Sequence, residues 1–97
     1  MNDQIRDYQT YLTSERNVSE HTRMAYIKDV EEYAEFLQKN NFIDNIDGIL
    51  NVAADTVRAY LGYLFRRKVK KVTVNRKISS LRSFYKFLIR SGKTKNN

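Results

Sequence analysis

The sequence contains no cysteine, which excludes a disulfide framework and cysteine-based zinc sites. Its single histidine, His21, leaves no His-rich metal site, so neither a metal nor a cofactor is expected. Proline is absent and glycine occurs only at Gly48, Gly62 and Gly92, a composition that favours long helices with few tight turns. No apolar run approaches the ~18 residues of a membrane span. Met1-Asn2-Asp3-Gln4 lacks the basic and apolar regions of a signal peptide. The expectation is a soluble, cytoplasmic protein with no membrane partner. At 97 residues there is room for one small domain with a thin core, and not for two. Apolar residues at 41% and charged residues at 30% are ordinary globular usage, which argues against wholesale disorder.

Acidic residues are scarce in one half only. Residues 1–53 carry 5 Lys/Arg against 10 Asp/Glu, a net of −5. Residues 54–97 carry 13 against 1, Asp55, a net of +12. A one-sided positive field of that size concentrates polyanions and speeds encounter with them. A solubilising lysine surface is the plainer reading, but arginine-rich charge with almost no acids inside a folded domain favours nucleic acid. A basic membrane-surface helix fits less well, because its apolar face is needed for the core.

Spacing predicts an all-α fold. A first helix starts at Asn2 or Asp3 and runs to about Ser14, with Ile5, Tyr8, Tyr11 and Leu12 on one side. Ser19 caps a second helix, and Glu20 suits the positive end of its dipole. Tyr26, Val30, Tyr33, Ala34 and Leu37 form its apolar stripe, opposite Lys28, Glu31, Glu32 and Glu35. Residues 40–53 read as a loop whose Phe42, Ile43, Ile46, Ile49 and Leu50 tuck onto the core. A third helix covers about 54–68, burying Val57, Tyr60, Leu61 and Leu64. A fourth runs from about Val72 to Ser91 and stops at Gly92. Val74, Ile78, Leu81, Tyr85 and Leu88 step through its core face. Together these give a small four-helix antiparallel bundle.

The far side of the fourth helix carries Asn75, Arg76, Ser79, Arg82, Ser83, Lys86 and Arg90. Its small serines let a helix approach a DNA backbone or base edge while the long cations reach outward. Phe87 falls in the middle of this polar face with no evident core role. Six of the seven tyrosines lie on apolar stripes and read as core rings rather than nucleophiles, and Tyr63 reads as surface. Glu31, Glu32 and Glu35 read as a solvated face, not a catalytic or metal cluster. The positive features are binding features.

Two segments carry a family resemblance. Glu15-Arg16-Asn17-Val18-Ser19-Glu20-His21-Thr22, followed by Tyr26, resembles the opening of the N-terminal core-binding domain of tyrosine recombinases, the Xer-type and phage-integrase group. Thr73-Val74-Asn75-Arg76-Lys77-Ile78-Ser79-Ser80-Leu81-Arg82-Ser83-Phe84-Tyr85-Lys86-Phe87-Leu88 resembles the fourth helix of the same domain. Val57-Arg58-Ala59-Tyr60-Leu61-Gly62-Tyr63-Leu64 is similar to its third helix, and Gly92 to the glycine after helix four. Two family capping positions are filled differently, by Ala53 before the third helix and Lys70 before the fourth.

The resemblance implies a SAM-like helical bundle over residues 1–92, with 93–97 beginning a linker to a catalytic domain. It implies a DNA-binding module that clamps one face of a recombination site and performs no catalysis alone. Its expected partners are double-stranded DNA and, at full length, other recombinase protomers, the fragment itself being monomeric. Thr22 and Arg23 are expected at phosphate, with Lys28 as a further contact. Thr73 and Arg76 are expected to anchor the backbone, and Asn75, Ser79, Arg82, Ser83 and Lys86 to track the major groove. For Arg82 the competing role is holding helices together through carbonyls. The rival functions are a stand-alone helix-turn-helix regulator and a SAM-like protein-interaction module anchored by Phe87.

Overall fold

The computed structural model describes residues 3–92. The expected linker start at 93–97, and Asn2 as an alternative cap, lie outside the described residues, as does the side chain of Ile46. Four α-helices form: α1 (Asp3–Ser14), α2 (Glu20–Lys39), α3 (Ala54–Arg66) and α4 (Lys71–Arg90). A short 3-10 helix, Ile46–Asn51, lies between α2 and α3, where the sequence reading has only loop. Among the described residues there is no strand.

The helix boundaries follow from local chemistry. Ser19 Oγ accepts the backbone N–H of Thr22 at 3.1 Å, a side-chain cap at the start of α2. Ala53 and Lys70 occupy the corresponding positions before α3 and α4 and make no side-chain cap. At the other ends the chain turns left-handed, at Asn17, Asn41, Lys68 and Gly92, with φ of 50°, 62°, 59° and 73°. After α2 and α3 the next N–H reaches back, Phe42 to the Leu37 carbonyl and Val69 to that of Leu64, at 2.9 and 3.2 Å. This is the reverse turn that satisfies the last carbonyls of a helix.

α2 is the central element and packs against α1, α3, α4 and the 3-10 helix. Tyr33, Val30 and Leu37 on its inner stripe are fully buried, as are Tyr8, Phe84 and Leu88 from α1 and α4. The 3-10 helix closes over this core: Ile43 and Ile49 are buried, and Tyr85 Oη donates to the Ile49 carbonyl at 3.0 Å. Tyr33 Oη lies 3.0 Å from the same Tyr85 hydroxyl, so one partly buried chain of hydrogen bonds joins α2, α4 and the 3-10 helix. Gly48 is required where it stands, because a Cβ there would sit 2.8 Å from Ile43 Cβ.

Three packing expectations need correction. Phe42 is exposed rather than tucked onto the core, its ring lying 5.9 Å from that of Phe36 at the edge. Phe87 is buried, its ring 5.6 Å from Tyr8 and 5.0 Å from Tyr11. α1 and α2 together cover a wider arc of α4 than one apolar stripe indicates, and Phe87 lies inside that arc. Tyr63 is half-buried rather than simply exposed: its ring packs 4.8 Å from that of Phe36. Burial pushes the Tyr8 hydroxyl up to about 12, and those of Tyr60 and Tyr85 higher still. These phenols stay protonated at neutral pH and serve as packed rings, the Tyr8 and Tyr85 hydroxyls being hydrogen-bonded within the fold.

Candidate nucleic-acid interface

The α2–α4 seam is built around an acid. Asp29 sits on the stripe of Val30 and Tyr33, and its side chain is 0% exposed. A buried carboxylate survives only if its oxygens are paired, and here each takes two donors. Arg76 gives Nε to Oδ2 at 3.0 Å and Nη2 to Oδ1 at 2.8 Å. Lys77 Nζ reaches Oδ1 at 3.2 Å and Ser80 Oγ reaches Oδ2 at 2.7 Å. Lys77 also donates to Glu32. Burial pushes the Asp29 carboxyl up, but the bonds from Arg76, Ser80 and Lys77 outweigh it and hold the group below its ordinary range. Two negative and two positive charges thus close on one another across the seam.

Other cations are also engaged within the fold. Arg67 lies over the Tyr63 ring and donates to its hydroxyl at 3.0 Å. Arg90 does the same at Tyr11, at 3.3 Å. Arg58 pairs with Asp55 at 2.7 Å in full solvent, a contact of little energetic weight.

The outer stripe of α4 differs. Asn75, Ser79, Arg82 and Lys86 recur at helical spacing, are all exposed, and make no side-chain hydrogen bond or ion pair among the described residues. Arg82 therefore does not hold helices together through carbonyls. Beside this stripe runs an apolar cleft of about 500 Å³, lined by Leu50, Val57, Leu61, Ile78 and Ile89. Arg82 and Lys86 line it too, as long side chains do when the stem covers apolar surface and the charge stays in water.

The remaining expected contact residues divide. Ser83 is half-buried and accepts the Tyr8 hydroxyl at 2.8 Å, so it is partly committed to the α1 contact. Thr73 is half-buried at the start of α4. Thr22 takes part in the Ser19 cap, its hydroxyl accepting from Ser19 Oγ at 3.0 Å. At about 100° per residue Thr22 shares a helix face with Asp29, about 10 Å away along the axis. Arg23 is half-buried and 3.7 Å from Glu20. Lys28 is exposed, but a quarter-turn off the Asp29 face. The structure thus groups Asn75, Ser79, Arg82 and Lys86 on one exposed face of α4, commits Arg76 and Ser83 to contacts with α2 and α1, and separates Lys28 from that face.

The faces of α2 and α4 taken singly do not reveal Asp29, Lys77 and Ser80. The signal is nonetheless present: an acid on the apolar stripe of α2, and Arg, Lys and Ser at spacings of one and four on α4.

The family model described as "Phage integrase, N-terminal SAM-like domain" matches residues 5–92. The chain belongs to that family. Its elements correspond to an all-α, SAM-like integrase domain along the whole matched length. The tyrosine recombinase XerC of Syntrophus aciditrophicus is 39% identical over 100 residues, covering 100% of this chain and 32% of the relative. The XerC of Listeria innocua is 46% identical over 80 residues, covering 82% of this chain and 25% of the relative. The XerC of Bacillus subtilis is 36% identical over 80 residues, with the same 82% and 25% coverage. This integrase-family domain therefore spans a quarter to a third of the length of these relatives. No solved structure matches it.

Proposed function

We propose that this domain is the duplex-DNA-binding module of a site-specific tyrosine recombinase, holding one face of the recombination site. The observation that carries the reading is the outer stripe of α4: Asn75, Ser79, Arg82 and Lys86 are exposed and without partners in a domain of the integrase family. Small hydroxyl and amide side chains let the helix approach a groove, and Arg82 and Lys86 contribute to the sequence-independent attraction to phosphate. Catalysis belongs to another part of the parent recombinase, and the module works alongside other protomers on DNA in the cytoplasm.

The test is a titration of a short fluorescent duplex at several salt concentrations. If about five cations neutralise phosphates, log affinity falls with log salt at a slope near −4 to −5. A titration that is flat in salt overturns the reading. Chemical-shift mapping with the same duplex should move the amides around Asn75, Ser79, Arg82 and Lys86. Shifts confined to another surface would also overturn it.

A further inference from the structure

The Arg76 guanidinium has five N–H donors, and Asp29 uses two of them, on the Nε–Nη2 edge. The Nη1–Nη2 edge remains, and the side chain is 44% exposed. Asp29 is itself held by further bonds, one from Lys77 to Oδ1 and one from Ser80 to Oδ2. A free arginine must freeze several torsions to present a two-pronged edge to phosphate. Arg76 has already frozen them.

We infer that Asp29 is a positioning residue for DNA binding: through its side-on pair it fixes Arg76 so that the outer guanidinium edge meets a backbone phosphate bidentately. This rests on the reading that the domain binds duplex DNA. Bidentate arginine–phosphate pairs are strong and geometrically selective, and pre-ordering reduces the entropy lost on binding. Asp29 and Glu32 balance Arg76 and Lys77, so the four charges sum to zero. The attraction to phosphate therefore comes from the outward N–H donors of Arg76 at close range, not from a net charge of the cluster.

The inference opposes simple electrostatics. Asp29→Asn raises the net charge by one, and charge counting alone expects tighter binding to a polyanion. The positioning role expects weaker binding. The experiment measures duplex affinity against salt for the 97-residue chain and for Asp29→Asn, Arg76→Ala, Arg76→Lys and the Asp29→Asn/Arg76→Ala double variant, with circular dichroism reporting the fold. Arg76→Ala should lose about tenfold in affinity, and its salt slope should become shallower by about 0.9. Arg76→Lys keeps the charge but not the fork, and should fall within about twofold of Arg76→Ala. Asp29→Asn should bind more weakly than the parent, yet add nothing in the Arg76→Ala background. A purely structural Asp29 would weaken both backgrounds equally.

Parent-like or tighter binding by folded Asp29→Asn overturns the inference, as does parent-like binding by Arg76→Lys. If Asp29→Asn does not fold, the Arg76→Lys result decides. Failure of the parent chain itself to bind duplex in a salt-dependent way overturns the proposed function, and this inference with it.

Discussion

The α2–α4 seam and the outer stripe of α4 draw on the same basic half of the sequence and use it in opposite ways. In the seam, Arg76 and Lys77 close onto Asp29 and Glu32. On the stripe, Arg82 and Lys86 have no hydrogen-bond or ion-pair partner among the described residues. A net charge counts both pairs alike, although the second pair is free to meet a ligand and the first is largely spent on folding. The lesson is that availability of a cation is decided by what the neighbouring helix presents.

The sharpest way to break this contrast is at adjacent residues. Phe87→Ala should cost about 3–5 kcal/mol, since the ring is packed against Tyr8 and Tyr11. Lys86→Ala, one position earlier, should change stability by less than about 0.5 kcal/mol. Urea unfolding of the two variants measures both. Comparable losses would erase the distinction between packed and open sides.

Asp29→Ala comes next, with an expected loss of about 3 kcal/mol. That is the low end for breaking a buried ion pair, because Arg76 is 44% and Glu32 46% exposed. The pH dependence has a definite sign. The Asp29 carboxyl is held low in the folded state, so its contribution is full above the ordinary carboxylate value and is lost as pH falls through the depressed one. Acid titration of the parent should therefore show a stability loss that Asp29→Ala lacks. Equal acid sensitivity in both would separate the seam from acid unfolding.

Changes on the stripe should leave stability alone and affect DNA. Arg82→Ala/Lys86→Ala should unfold at the parental urea midpoint, and its salt slope for duplex binding should be shallower by about 1.8. A loss of stability with no change in slope would reverse the assignment of the two regions. The smallest effect is expected at Lys70, which stands at the uncapped start of α4. Lys70→Ser should add a cap and stabilise the fold by about 0.5–1 kcal/mol, readable as a higher melting temperature.

Most of the fold is legible in the sequence because α1 to α4 each carry a stripe at helical spacing and clear ends. Ser19 and Gly92 sit where the structure places a cap and a left-handed stop. What is not legible depends on pairs of helices. Phe87 lies on the polar side of α4 by its own periodicity, and only the arrival of α1 buries it. Tyr63 is hidden the same way, by Phe36 from α2. The candidate contact residues were legible as a face. Their division into engaged and open members was not, because Asp29 and Ser83 acquire partners 47 and 75 residues away in the chain.

The closed carboxylate cage has a consequence for how such a domain diversifies. Since the Asp29 carboxylate in the knot between α2 and α4 is satisfied from within it, the four outward positions at 75, 79, 82 and 86 are not needed for its hydrogen bonds. They form a replaceable alphabet on a fixed frame. Randomised libraries at those positions should yield folded members almost throughout, and altered DNA preference can be selected there without first restoring lost stability.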